Sequence, residues 1–500
     1  MALNRLASSR GFHSLLAGHS FIFGQQIWCK RPDAFRSRAL ASQSSEASRK
    51  SNNLAGKLKE EASTGSPSSR EQSASPSKPN DETQSSNSPS ASPSTSDSQS
   101  MPPGWEDNPN YNISAFSQLP HKHFGFNQFI VINEEFKEAL RQILWRFKAP
   151  IRYAFAYGSG VFAQDGGQAS PSSLSPHPNP PEAITTWQKG GGKMIDFIFG
   201  VSFTQHWHSL NLTQHRDHYS FLGSLGSGLV SRVQDKWGAG VYFNPYIAVN
   251  GTLIKYGVVN LDTISRDLSE WDTLYLAGRL QKPVKILRDD PGVRLANQVN
   301  LISAVRAALL MLGESFTERE LYTAIAGISY LGDPRMALPA ENPRKVANIV
   351  SAQSTNFRQL YTPLIDNLPN VSFTDSRCSN PDWVHDPNPD NKMEQDMDPV
   401  KRGNMVRRLP QAFRKKLYFH YQKKFEIPGS AFDKVLDESK DEDSASFKRR
   451  QGGDFEQRIA AEPDLPQAMA AVIQSTIRWP ATSQTVKSFF TAGPARSWRY

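Results

Sequence analysis

Two short stretches carry residue types suited to holding a phosphate and a metal. The first is Gly158-Ser159-Gly160, which interrupts the apolar run YAFAYGSGVFAQ at residues 153–164. Three nearly side-chain-free residues let backbone N–H groups and one hydroxyl approach an anion closely, above all where a helix starts. The second is Asp196, set between Ile195 and Phe197 in the apolar run IDFIFGV. A carboxylate buried there must be paired, protonated or metal-bound, because burying it alone is costly. Carboxylate plus phosphate oxygens is the ligand set that Mg²⁺ prefers. Each stretch also has a plain reading: Gly-Ser is a common tight turn, and Asp196 can pair with a nearby Lys or Arg.

Strands must present both stretches. Tyr153, Phe155 and Tyr157 alternate with Ala154 and Ala156, which reads as a strand ending at the glycines. Residues 194–201 alternate as well, with Ile195, Phe197, Phe199 and Val201 on one face and Asp196, Ile198 and Gly200 on the other. Phe129–Ile132, Gly240–Asn244 and Leu253–Val259 read as further strands. Helical spacing predicts helices over Glu134–Phe147, Asp267–Leu280 and Ala296–Leu312. Thr317-Glu-Arg-Glu320 is a capping box that opens another helix, through about Ile328.

The chain has 500 residues and a formal net charge of +9, which favours anionic partners without choosing among nucleotides, nucleic acid and membrane. Its two cysteines, Cys29 and Cys378, exclude a disulfide framework and a Cys-based zinc site. No uncharged apolar stretch of bilayer length is present, so no spanning helix is expected. Residues 1–40 carry Arg5, Arg10, Lys30, Arg31, Arg36 and Arg38 against the single acid Asp33, the composition of a mitochondrial presequence. Residues 41–100 hold 21 serines and no aromatic residue, and cannot bury enough apolar surface to offset the entropy of ordering. Residues 165–192, rich in Gly, Pro and Ser, read as a flexible surface insertion.

Seven blocks then occur in order: YGSGVF (157–162), DFIFGV (196–201), WHSLN (207–211), HYS (218–220), GAGVYFN (238–244), LIKYGVV (253–259) and LYLAGRLQKPVKI (274–286). Over about residues 115–375, and again at FFTAG (489–493), the chain resembles the mitochondrial phosphatidate cytidylyltransferases of the soluble translocator assembly and maintenance type. The resemblance implies an α+β fold: a nucleotidyltransferase-like mixed β-sheet domain with helices (115–265), then a mostly helical, winged-helix-like domain (266–375). A basic, membrane-associating C-terminal extension (376–500) follows, and a Ser-rich linker (41–114) precedes the whole. The implied reaction is transfer of CMP from CTP to phosphatidic acid, giving CDP-diacylglycerol and pyrophosphate for cardiolipin synthesis. It also implies Mg²⁺ as cofactor and a peripheral position on the matrix side of the mitochondrial inner membrane. Nucleic acid is not expected as a partner, although an RNA-directed nucleotidyltransferase and a non-catalytic assembly factor for inner-membrane translocases are the alternative readings.

Carried over residue by residue, Gly158, Ser159 and Gly160 cradle the CTP phosphates and Asp196 holds the metal. Lys255 neutralises phosphate charge. Many nucleotidyltransferases carry Asp-x-Asp, but the second position here is Ile198, which leaves Asp217 or Asp262 as possible second acids. His208, Asn211 and His218 are either phosphate contacts or ordinary hydrogen-bonded structure. The spacing of His206, His208, His215 and His218 fits no single helix face, so a dedicated zinc site is not expected. Arg279 and Lys282, with Lys285 beside them, meet the substrate phosphate or form a surface cluster. Residues 401–424 carry nine Lys or Arg and no acid, interleaved with Phe413, Leu417, Tyr418 and Tyr421. That composition suits an anionic lipid surface, as does the aromatic and basic stretch 486–500.

Overall fold

Large apolar residues on alternate positions make β1 (Tyr153–Tyr157), β2 (Ile195–Val201), β3 (Val241–Val249), β4 (Thr252–Asn260) and β5 (Lys285–Arg288). In a computed structural model of the chain they form one sheet of order β3-β4-β2-β1-β5. The described residues are 101–102, 104–106, 113–162, 194–337, 342–440 and 451–493. The expected presequence, most of the Ser-rich linker, the insertion at 165–192 and residues 494–500 lie outside them. Strands β2 and β4 run parallel, whereas the other pairs in this sheet are antiparallel. Register places Tyr157, Asp196 and Lys255 side by side in one row across three strands.

Both faces of the sheet are covered. Phe197, Phe199, Tyr256 and Val258 pack with α1 (Glu134–Trp145) and α2 (Thr204–Gln214) through Leu140, Ile143 and Trp207. Helix α3 (Ser227–Lys236) lies against α2, and Thr204 donates to Asp235 across 2.7 Å. On the face of Ile198 and Phe155, α4 (Leu261–Glu270), α5 (Ala277–Leu280) and α6 (Pro291–Met311) bring Ile264, Leu268, Leu280 and Val293. Helix α6 is buried along nearly its whole length, polar residues included, so it is the central strut of the second half.

Around α6 stand α7 (Glu318–Ile328), α8 (Lys345–Ala352) and α9 (Ser354–Ile365). A small antiparallel sheet joins β6 (Ser315–Thr317), β7 (Val371–Phe373) and β8 (Lys392–Gln395) in the order β6-β8-β7. The chain ends in α10 (Pro399–Arg407), α11 (Gln411–Lys424), α12 (Gly429–Glu438), α13 (Asp454–Ala461) and the long α14 (Leu465–Ala492). The capping box at Thr317 forms as the sequence predicts, Thr317 and Glu320 satisfying each other's backbone N–H groups.

Four expectations change. Residues 129–132 are not a strand: side chains of Gln359 and Lys285 take the Phe129 and Ile130 carbonyls at 3.1 and 2.7 Å, so no neighbouring strand is needed. The helix expected over 267–280 is broken, because Trp271 and Leu274 both adopt φ of 56°. The linker expected to end at 114 is in part core, since Met101, Trp105 and Glu106 are buried. Glu106 grips Arg306 through two 2.6 Å bonds. Finally, the four interleaved residues singled out in 401–424 do not face a lipid surface, although Phe419 is exposed. Phe413, Leu417, Tyr418 and Tyr421 are wholly buried, and Arg407 and Arg414 spend their charge on backbone carbonyls.

Candidate active site

Strand β1 delivers Tyr157 and then turns sharply, the N–H groups of Val161 and Phe162 both donating to the Gly158 carbonyl at 3.0 Å. Gly158 has φ of +83°, a conformation that L side chains rarely adopt, and a Cβ there would sit 3.4 Å from Oδ2 of Asp196. The turn therefore lies directly beside the carboxylate. Gly160 serves packing instead, because a Cβ on it would come within 2.8 Å of the Met194 carbonyl at the start of β2. Oδ1 of Asp196 lies 3.7 Å from Nζ of Lys255, both side chains partly exposed. The one-to-one parallel register of β2 and β4 makes this pairing. The Lys255 ammonium also sits 4.9 Å over the Phe243 ring.

A second cation closes in from α5. Nε of Arg279 donates to the Tyr157 hydroxyl at 3.3 Å, and the guanidinium lies 4.0 Å over the Tyr275 ring. Burial pushes the Tyr157 phenol up to about 12, and Asp196 adds to the rise while Arg279 and Lys255 oppose it. Arg279 also donates to the Tyr275 carbonyl, and Asp267 fixes the surrounding loop, its carboxylate accepting from the backbone N–H of Thr273, Leu276 and Ala277. That buried acid ties down the break between α4 and α5. Lys282, one turn beyond Arg279, donates to the Ser329 hydroxyl at 2.7 Å and to the Gly278 carbonyl. Burial first, then the charges of Arg279 and Lys345, bring its ammonium down to about 7. Lys285 is separate, on β5, with its Nζ on the Ile130 carbonyl.

The histidine-rich candidates lie on the other face of the sheet. His208 is held between the Tyr219 hydroxyl and Oε1 of Gln234, each at 2.8 Å. Asn211 donates to the hydroxyls of Tyr219 and Tyr256, and Nδ1 of His218 lies 2.9 Å from the latter. All three are buried, and Tyr256 points away from the face of its neighbour Lys255. The structure therefore puts His208, Asn211 and His218 in a hydrogen-bonded network under α2, not beside Asp196. His215, Asp217 and His218 bring ligand-type atoms within 4.8 Å of one another, also away from Asp196.

Neither proposed second acid joins Asp196. Asp217 neighbours His218 under the opposite face. Asp262 opens α4 after the far end of β4, where Asn260 pairs with Val201. Five residues of strand from Asp196 to Val201 amount to about 17 Å. Ile198 itself is fully buried in the core. A surface cavity of about 450 Å³ lies elsewhere, between Arg141, Trp145, Lys148 and Arg288.

Tyr157, Tyr275 and Asp267 are site residues that sequence reading passed over. The alternation that put Tyr157 on the face of Asp196 was visible; the roles of Tyr275 and Asp267 depend on the helix break.

A carboxylate, a lysine and an arginine around a glycine turn, on the inner strands of a mixed sheet and the helix beside them, are the parts of an enzyme that moves phosphate-bearing groups. A family model described as phosphatidate cytidylyltransferase, mitochondrial, matches residues 140–500. A relative of that name from Schizosaccharomyces pombe is 46% identical over 250 residues, 50% of this chain and 58% of the relative. One from Xenopus laevis is 36% identical over 362 residues, 72% of this chain and 91% of its own length. One from Homo sapiens is 36% identical over 355 residues, 71% of this chain and 66% of the relative. The chain belongs to the mitochondrial phosphatidate cytidylyltransferase family.

Proposed function

We propose that Asp196, the Gly158–Gly160 turn and Lys255 carry out the cytidylyl transfer for which the family is named. A phosphate oxygen of phosphatidate attacks the α-phosphorus of CTP. The bond to the β-phosphate oxygen breaks, pyrophosphate leaves with the electron pair, and CDP-diacylglycerol forms. The nucleophile is already an anion, so no strong general base is required, and positioning and charge neutralisation carry the rate. Backbone N–H groups and the Ser159 hydroxyl hold the triphosphate, and Lys255 offsets its charge. The observation that carries this reading is the row of Tyr157, Asp196 and Lys255 across three strands, with the Gly158 turn directly beside the carboxylate.

The same observation is a test of fit for Mg²⁺. A partly exposed carboxylate, beside a turn suited to phosphate, matches an ion that binds through one or two carboxylates plus substrate oxygens. Asp196 is the residue that would hold it. The chemistry it supplies when bound is neutralisation of charge on phosphate oxygens. In this reading the five-stranded unit is a nucleotidyltransferase-like domain, and α7–α9 with the small sheet are its winged-helix-like companion.

Phosphatidate is a membrane lipid, so the enzyme works at a bilayer surface. No helix among the described residues is long and apolar enough to cross a membrane. The last part of α14 instead exposes Trp479, Val486, Phe489 and Phe490, and residues 479, 486 and 490 share one helical face. That stripe is the proposed interfacial contact, on the matrix side of the inner mitochondrial membrane, where the product feeds cardiolipin synthesis. The test is labelled CTP, Mg²⁺ and phosphatidate liposomes with the protein from residue 101. CDP-diacylglycerol should form and require all three. Product that forms without lipid and is stimulated by RNA would sink the assignment.

A further inference from the structure

Exposed apolar side chains from three elements adjoin at the end of α14. Phe489 and Phe490 close that helix, and Trp237 follows α3. Phe221 and Leu225 stand on the short 3-10 turn Phe221–Leu225 and are 57% and 59% exposed. The rings of Trp237 and Phe490 lie 6.0 Å apart. At the head of the turn, the Ser220 hydroxyl donates to the Phe490 carbonyl at 2.9 Å. Lys487 is fully buried and donates to the carbonyls of Gln234 and Trp237, which fastens α14 to the end of α3.

The turn is pinned from beneath. The Arg216 guanidinium donates to the carbonyls of Tyr219 and Ser220, both at 3.2 Å, and to the Ser224 hydroxyl. Gly223 lies so close to Tyr219 and Leu212 that a Cβ on it would come within 2.8 and 2.9 Å of their side chains. Leu222 takes the inward position and is buried. Phe221 and Leu225 are therefore held in water by a fixed turn, and adjoining apolar groups kept in water mark a contact surface.

Charge says what that surface meets. Arg232 and Lys236 are exposed and four apart on α3, on a face that runs into Trp237. Among the described residues neither side chain has an ion-pair or hydrogen-bond partner. The carboxylate of Asp235 accepts from Thr204 and Gln234 instead. Unspent cations beside Trp, Phe and Leu suit an interfacial contact with anionic lipid, and the phosphatidate for which the family is named is such a lipid.

We propose that Phe221, Leu225 and Trp237, with Arg232 and Lys236, form a second bilayer contact on the sheet-bearing half of the chain, continuous with the end of α14. This extends the reading of α14 as the interfacial element and rests on it. The membrane is held from two elements joined through Ser220 and Lys487, so the contact fixes how the five-stranded sheet is oriented on the bilayer instead of leaving it to one helix.

The test uses the full chain and sedimentation with phosphatidylcholine vesicles, with and without phosphatidate. Phe221→Ser with Leu225→Ser should weaken binding to the phosphatidate vesicles about tenfold or more. Arg232→Gln with Lys236→Gln should do the same on those vesicles alone, and thermal melts check that each variant is folded. A labelled series reads the contact without relying on lost binding. With Cys29 and Cys378 replaced by Ser, a polarity-sensitive fluorophore on Phe221→Cys or Leu225→Cys should brighten on phosphatidate vesicles. The same label on Val400→Cys, exposed on α10, should not. No brightening at 221 and 225, or equal brightening at 400, would overturn the proposal. Vesicle binding left intact by the serine pair would overturn it too, and a dimer dissolved by that pair would then give the surface to a second copy of this chain. Lost binding in Trp479→Ser with Phe489→Ser but not in the 221 and 225 pair would keep the α14 reading and refute this extension; lost binding in neither would refute both.

Discussion

Asp196→Asn is the most informative substitution, because it removes a charge and almost no volume. The pair with Lys255 spans 3.7 Å between partly exposed side chains. Pairs of that kind contribute about 0–1 kcal/mol to stability, so the thermal midpoint should fall by no more than about 4 °C. The catalytic effect should be far larger. Ile198 fills the neighbouring position and is fully buried, while Asp217 and Asp262 lie on another face and at another end. With no second carboxylate from those positions to compensate, loss of the metal-holding charge should lower kcat at least about 10³-fold, roughly 4 kcal/mol of transition-state stabilisation. The assay pairs kcat with a melting curve and with CTP affinity measured with and without Mg²⁺. Wild type should bind CTP more tightly with the metal; the variant should show no such difference. A folded Asp196→Asn protein that keeps more than about a tenth of wild-type kcat would refute the role assigned to this carboxylate.

Gly158→Ala should cost about 1–2 kcal/mol of stability for its left-handed backbone, and should abolish CTP binding by placing a methyl group over Asp196; calorimetry and thermal melts check the two separately. His208 is held at about 4 by burial, with the Gln234 bond opposing. The unfolded chain therefore binds the extra proton between about pH 6.5 and 4, and stability should be full above that window and fall through it as pH drops, by on the order of 3 kcal/mol. Urea titrations across pH 4–7 on wild type and His208→Gln would show it, and an unchanged slope in the variant would count against it. Trp479→Ser with Phe489→Ser should reduce sedimentation with phosphatidate liposomes several-fold and barely move the melting point, because the two residues are 75% and 55% exposed.

Much of the centre was legible because strands obey a period of two. Alternation alone put Tyr157 on one face of its strand and Asp196 opposite Phe197 on the next. Glycines between apolar residues marked either a tight turn or a backbone position that something approaches, and the φ of Gly158 shows the turn. The capping box at Thr317 was legible for the same reason: its hydrogen bonds close within four residues. Composition set the basic charge and the absence of an uncharged bilayer-length run.

The tertiary structure decided everything that depends on which faces meet. A run of basic and aromatic residues at 401–424 looks like a lipid-binding surface in sequence, yet Phe413, Tyr418 and Tyr421 are core, because burial depends on the partner and not on the segment. Histidines crowded at 206–218 look like a site, yet the sheet separates them from Asp196. Asp267 looked like the start of a helix, and became the anchor of a break only once Trp271 and Leu274 turned left-handed. Lys345 showed nothing, because its link to Lys282 spans 63 residues and exists only where α5 crosses the end of α7. Local hydrogen bonds and side-chain period are written in neighbouring residues; contacts between elements are not.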